Sequence, residues 1–573
     1  MGKFLLGVLT GLALTFLIFV LIVVAVLRFK AKPPEVADGS TLILRLDGDI
    51  PEKPPIELPI PFLQDRDSTT VANVWGLLRR AATDSRIKAM VIEPSDLQIG
   101  WGKLQELRAD IESFKKSGKP VIAFLRTPGT REYYLATATN KIYMTPEDLL
   151  NLKGMRLELM YFKNTLDKLG VGVQVEHAGK YKDFGDMFTR TNMSPETREV
   201  LNSVLDDLYG NVVQAIAAGR KKTPDEVRAI IDQGPFISAQ VVSKGLVDEV
   251  RFEDQMFGEL KTQLKQNELK KITSQKYMKA LEGEGGDGKN RIAFLVGQGG
   301  ITRGNPDDSG LSDEGITSEG FDKLLRQVAA DKQIKGVIVR IDSPGGEVTA
   351  SDEIWREMML LRAKKPLIIS MSDTAASGGY YMAMTGDPVL AYPGTLTGSI
   401  GVVYGKPDLH GLYDKLGITK DTLQRGRFAA IDSDYKPLDP AELAKLREGI
   451  DESYKEFVTK VAQARKRTFQ QIEPIAQGRV WLGSQAKSNG LVDELGGLDR
   501  AVELIKQKAK IPQGEKVALV PYPPKRSLFE VLMSRSAESS AEAKLRAVLS
   551  GWQTKIWLKG GYLRLMPYSI SIH

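Results

Sequence analysis

Four short runs in this sequence hold residue types that can do covalent chemistry: DSPGGE (Asp342 to Glu347), AASGGYY (Ala375 to Tyr381), TGSIG (Thr397 to Gly401) and, far upstream, GKYKD (Gly179 to Asp183). Ser377 stands where an apolar run ends and a helical pattern begins. Gly378 and Gly379 permit the sharp turn that exposes a nucleophile, and a helix start favours developing negative charge. Gly345 and Gly346 follow the apolar run Val337–Ile341 and can aim backbone N–H groups into a cleft, as an oxyanion hole requires. Taken singly, a PGG is an ordinary strand–helix turn and a serine before a helix is an ordinary N-cap.

A nucleophilic serine needs a base. The three histidines (His177, His410 and His573) lie in no recognisable partner pattern, and His177 and His410 read as structural or surface residues. The chain has no cysteine, so thiol catalysis, Cys-based zinc sites and iron–sulfur clusters are excluded. A desolvated lysine can serve once its pKa falls from ~10.4 toward neutrality. Lys182 and Lys180 of GKYKD are the candidates.

The choice between them comes from a duplication. SRIKAMVIEP (Ser85 to Pro94) returns as KQIKGVIVRI (Lys332 to Ile341), and EYYLATATNKI (Glu132 to Ile142) as GYYMAMTGDPV (Gly379 to Val389), both 247 residues later. KGLVDEV (Lys244 to Val250) returns as NGLVDEL (Asn489 to Leu495) at an offset of 245. At the common offset Ser377 faces Thr130, Lys182 faces Ala429 and Lys180 faces Arg427. One copy has the serine without the lysine, and the other has the lysine without the serine. That complementary loss singles out the pair Ser377 and Lys182. Lys180, with a cationic counterpart, reads as a surface residue and as the second choice of base.

Each copy alternates β-branched runs with amphipathic stretches. In the second copy Ile292–Val296, Val337–Ile341, Leu367–Ser370 and Val389–Ala391 predict strands, and residues 319–330 and 351–363 predict helices. This alternation predicts mostly parallel sheets covered by helices. Ahead of the repeats, Phe4 to Leu27 is uncharged, longer than the ~20 residues that span a bilayer, and followed by Arg28 and Lys30 rather than a small-x-small cleavage site. It predicts an uncleaved transmembrane anchor whose flanking charges leave orientation open.

The ordered set of anchor, tandem repeat, SPGG, ASGGYY, TGSIG and GKYKD resembles the signal peptide peptidase A family in its long double-domain bacterial form. The resemblance runs from the anchor to about Gly497. It implies an α/β fold, a tandem repeat of two crotonase/Clp-protease-like domains behind an N-terminal transmembrane helix. It also implies a Ser–Lys dyad at the bacterial inner membrane, facing the periplasm, that digests signal peptides after their release by signal peptidase. Carried over, Ser377 is the nucleophile, Lys182 the general base, and Ser399 the serine that orients the lysine. Gly346, with Gly345 and Gly378, makes the oxyanion hole. A homo-oligomeric ring, a tetramer by resemblance, is implied as well.

The expected organisation is an anchor at 1–32, a lysine-bearing repeat at 41–252, a connecting helix and Gly-rich linker at 253–290, a serine-bearing repeat at 291–500 and an extension at 501–573. In that extension Trp552, Trp557, Lys555 and Lys559 suit either a docked helix or an interfacial membrane contact.

The 573 residues are 42% hydrophobic and 26% charged, which excludes a disordered or collagenous chain, and a net charge of +7 is too dilute to imply nucleic acid. No phosphate-binding loop or H-E-x-x-H motif occurs, so neither ATP nor a metal or other cofactor is implied. Ser484-Gln-Ala-Lys487 matches S-x-x-K but lacks the companion motifs and reads as a helix start. Two readings from other classes remain open at this stage. One is an acyl-CoA hydratase or isomerase on the same fold, which would need a carboxylate base; the other is an inactive membrane scaffold.

Overall fold

The computed structural model describes residues 34–53, 69–284, 289–304, 315–523 and 562–566, together with Gly2, Gly7, Gly11, Leu14 and Thr15. The Trp/Lys segment at 552–559 lies outside the described residues, as does the expected anchor except for the five residues just named. Among the described residues no helix is long and apolar enough to cross a membrane.

Unbroken apolar runs form parallel strands buried on both faces. Strands Ser40–Asp47, Ile87–Ser95, Val121–Leu125 and Lys141–Met144 lie side by side in chain order, all parallel. Asn290–Gln298, Ile334–Ser343, Leu367–Ala376 and Val389–Ala391 repeat the arrangement in the second copy. The crossover helices match in length. Val71–Thr83 and Ser318–Ala330 have 13 residues each, and Trp101–Lys115 and Val348–Arg362 have 15 each. Each copy also has a 26-residue helix, Pro195–Arg220 and Pro440–Arg465. Both open with a side-chain N-cap (Ser194 or Asp439) followed by proline, the residue that tolerates the first helical position.

The sheets extend beyond the expected repeat limits. Lys271–Thr273 pairs with Ser40–Asp47 and closes the first sheet, and Val517–Tyr522 pairs with Asn290–Gln298 and closes the second. Part of the expected connector therefore belongs to the first sheet, and the expected extension begins inside the second. Helix Glu253–Gln263 buries only Met256, Phe257 and Leu260 amid charge, and a three-residue strand is too short to show a period of two.

A third sheet joins the copies. It runs Ile316–Thr317, Ile301–Thr302, Gly345–Glu347, Tyr562–Leu565, Val402–Asp408, Gly172–Ala178. The last two strands, one from each copy, pair antiparallel over seven residues, from Val402 opposite Ala178 to Asp408 opposite Gly172.

The copies also share a buried ionic seam. Arg340 of the second copy is fully buried and donates to Glu52 (2.8 Å) and Glu106 of the first. Lys103 meets Asp342 at 2.9 Å. The Asp373 carboxylate accepts from the backbone N–H of Gly100 and Lys103 (2.9 and 2.7 Å), capping helix Trp101–Lys115 from the other copy. A Cβ at Gly102 would lie 2.6 Å from the Ser372 carbonyl, so the loop that carries SPGG in the second copy serves as a docking seat in the first.

Candidate active site

Three loops converge on one point. Strand Leu367–Ala376 runs into Ser377, which precedes helix Gly378–Ala383 and has φ 55° and ψ −114°. That backbone conformation is costly for a residue with a side chain, of order 1–3 kcal/mol, and is held here by the Ser377 N–H donating to Gly398 O at 2.8 Å. Ser399 follows the short strand Leu396–Gly398, also at positive φ (52°), with its N–H on Arg479 O at 2.7 Å. Lys182 comes from the first copy, in the turn just past strand Gly172–Ala178. Pairing of that strand with Val402–Asp408 carries the lysine across the boundary between the copies.

Lys182 Nζ lies 2.8 Å from Ser377 Oγ, 2.9 Å from Ser399 Oγ and 2.9 Å from Ser399 O. A neutral amine has two N–H groups and one lone pair. The carbonyl of Ser399 can only accept, so it takes one N–H. Ser399 Oγ accepts the other, which leaves the lone pair facing the Ser377 hydroxyl. Lys182, Ser377 and Ser399 are each 0% exposed. Burial holds the lysine well below its ordinary range, nearby Asp183 offsets part of that effect, and the Arg564 guanidinium adds to the lowering. Asp183 in turn accepts from Thr197, which keeps that carboxylate engaged away from the amine. Glycine makes room for the lysine stem, since a Cβ at Gly478 would lie 2.6 Å from Lys182 Cβ and one at Gly401 would lie 3.0 Å from its Cδ.

Gly345, Gly346 and Gly378 also come together. A Cβ built on Gly378 would sit 3.0 Å from Gly346 N, and one on Gly345 would sit 2.7 Å from Gly378 N. Gly345 has φ +104°, which favours glycine. The matching corner of the first copy is filled differently. There the Glu132 carboxylate accepts from Leu97 N (2.8 Å) and Gly129 N (2.9 Å), so a side chain of the protein occupies the backbone nest.

The remaining candidates lie elsewhere. Lys180 sits over the Tyr181 ring and its N–H donates to Gln477, away from Ser377. His177 is exposed and bonded to Gly179 O, and His410 stacks on Tyr435. Ser484 lies in the helix Gly483–Asn489 and donates to Asp207. Sequence reasoning missed Arg564 and its neighbours Leu563 and Leu565, which form a strand against Gly345–Glu347. Their isolation beyond a long unpatterned stretch left no signal but an alternating Tyr-Leu-Arg-Leu.

A serine hydroxyl meeting a buried lysine amine at the junction of two tandem α/β units fits the class of serine peptidases. The comparisons agree with a serine peptidase. The model of peptidase family S49 matches residues 113–267 and 359–512, one segment in each copy, and the Clp protease model matches residues 312–396. The chain is 38% identical over 453 residues to a chloroplastic serine protease SPPA of Arabidopsis thaliana, covering 77% of this chain and 66% of that one. It is 31% identical over 501 residues to Protease 4 of Salmonella typhi (83% and 79%) and 29% identical over 544 residues to Protease 4 of Haemophilus influenzae (86% and 83%). The chain belongs to peptidase family S49, as a serine peptidase of the SppA type with two S49 repeats.

Proposed function

We propose that the chain hydrolyses peptide bonds with Ser377 as nucleophile and Lys182 as general base. The observation that carries this reading is the 2.8 Å contact between Lys182 Nζ and Ser377 Oγ, made inside one chain by residues of different repeats. Neutral Lys182 takes the hydroxyl proton as Ser377 Oγ attacks the scissile carbonyl carbon. The oxyanion is received by the N–H of Gly346, with Gly345 and Gly378 shaping the turn. The ammonium of Lys182 then protonates the leaving amine, the C–N bond breaks, and water hydrolyses the acyl-enzyme by the reverse route. Ser399 fixes the direction of the lysine lone pair. An amine in this place, where a hydratase would need a carboxylate, argues against acyl-CoA chemistry.

The substrates are apolar peptides, released signal peptides foremost. The apolar walls beside the dyad (Phe184, Val403, Met187 and Phe188) support this. The N-terminal segment anchors the protein in the bacterial cytoplasmic membrane with its repeats in the periplasm. Ring assembly is supported by the unused halves of the duplication. Residues 419–425 are the counterpart of strand Gly172–Ala178, and residues 155–161 that of Val402–Asp408. Neither segment belongs to a strand among the described residues, and Leu423 and Met160 are 93% and 73% exposed. Pairing 419–425 of one chain with 155–161 of the next repeats the internal junction head to tail, the kind of contact from which rings are built.

The test is hydrolysis of an apolar fluorogenic peptide by detergent-solubilised protein. Ser377→Ala is expected to abolish turnover, Lys182→Ala to lower kcat by about 10²–10⁴, and Lys180→Ala to leave it unchanged. Full activity in Lys182→Ala would overturn the assignment of the base.

A further inference from the structure

The strand Tyr562–Leu565 fills a slot one strand wide. On one side it pairs antiparallel with Gly345–Glu347, with Arg564 opposite Gly346 and Leu565 opposite Gly345. On the other it pairs with Val402–Asp408, with Leu563 opposite Val403. Met566 N donates to Pro344 O at 2.8 Å. One wall of this slot is the glycine turn beside Ser377, so a peptide offering its carbonyl to Ser377 must run along the same edge, as an added β-strand.

We propose that residues 562–566 are a built-in pseudosubstrate, a strand that occupies the peptide slot of the peptidase and must leave before substrate enters. This rests on the reading of Ser377 as the nucleophile.

The side chains of the strand behave as those of a bound peptide would. Leu563 and Leu565 are buried against Phe184 and Val403, in a pocket to which both repeats contribute. Arg564 is fully buried, its guanidinium 3.8 Å from the Tyr381 ring centre and 4.9 Å from that of Phe457. The slot thus offers apolar subsites at alternate positions and an aromatic-walled one between them. With the strand in place Ser377 and Lys182 are each 0% exposed.

The fit is also incomplete, as suits a segment that leaves. Among the described residues Arg564 Nε and Nη2 have no hydrogen-bond acceptor, and Nη1 lies 3.5 Å from Val348 O. The nearby Asp352 carboxylate already takes Lys460 and the Tyr381 hydroxyl. A buried guanidinium with no ion pair among the described residues is a weak structural element, because Tyr381 and the field of Asp352 offset its desolvation only in part.

The test uses the full chain and two readouts. Leu563→Asp/Leu565→Asp places carboxylates in the apolar subsites and expels the strand. It should lower KM for an apolar peptide by about tenfold with kcat unchanged, because the competing occupant is gone. Independently of catalysis, amide exchange at Gly345–Glu347 and Val403–Tyr404 is measured in the Ser377→Ala background. It should accelerate on expulsion and slow again on addition of the synthetic peptide Tyr-Leu-Arg-Leu-Met. Arg564→Gln, a milder change that also removes a charge acting on Lys182, should move the exchange readout in the same direction and covers the case in which the double variant does not fold. Unchanged KM and exchange would overturn the proposal, as would a fall in kcat together with thermal stability, which would make the strand part of the framework. Activity surviving in Ser377→Ala would instead overturn the nucleophile and leave the exchange readout to judge occupancy.

Discussion

Lys182 is a buried amine on which folding and chemistry make opposite demands. The proposed base must be neutral, and burial lowers its pKa in that direction, yet an unfolded chain at neutral pH carries the same lysine protonated. Between the lowered folded value and ~10.4 the unfolded state therefore binds more protons, and the lysine's cost to stability shrinks as pH rises through that window. Lys182→Met is expected to gain about 0.5–2 kcal/mol at pH 7 while lowering kcat by about 10²–10⁴. The gain should narrow toward pH 10 in thermal scans at graded pH. In the wild type, kcat/KM should rise with pH through the folded value of Lys182 and show no histidine-like limb. At this scale the sequence was unusually readable. The pair Ser377 and Lys182 stood out because each repeat lacks the member that the other keeps. Arg564 was not legible, since a lone arginine between leucines acquires meaning only from the aromatic faces of Tyr381 and Phe457, which are distant in sequence.

Among the elements, the shortest do most to shape the site. Gly345–Glu347 is three residues long, flanked by Ile301–Thr302 and Tyr562–Leu565, and its backbone is packed so tightly that a Cβ at Gly346 would lie 1.9 Å from the Ile301 carbonyl oxygen. Gly346→Ala is expected to displace the turn and cost about 10²–10³ in kcat, the loss typical of a missing oxyanion donor. Substrate KM and the melting profile in the same preparation would separate this from global unfolding. The long elements were legible in the sequence. The apolar run Val337–Ile341 lies within strand Ile334–Ser343, and the pattern over 319–330 within helix Ser318–Ala330. The short ones were not, because strands of two or three residues such as Lys271–Thr273 and Gly345–Glu347 show no periodicity and are defined by their partners.

Across the whole molecule, the two repeats are joined by charge as well as by strand pairing. Arg340 holds Glu52 and Glu106 in a seam without solvent, and replacing it with leucine strands both carboxylates there. Arg340→Leu is expected to destabilise the chain by about 3–5 kcal/mol. Because the seam holds the two repeats together and Lys182 and Ser377 come from different repeats, peptidase activity and the denaturation midpoint should fall together. Chemical denaturation followed by both tryptophan emission and residual activity checks this. The reach of Gly172–Ala178 into the other repeat had no sequence signature, since its exposure is intermediate along most of its length and its partner lies more than two hundred positions downstream. That same reach bears on how the protein is made. A chain leaves the ribosome from its N-terminus, and domains fold as they emerge. The half of the centre that appears first has a proton acceptor and nothing to activate, and the half that follows is needed before any bond can be cut. On the proposed dyad, a nascent molecule cannot cut itself or its neighbours until both halves have met, so the duplication would time the onset of proteolysis.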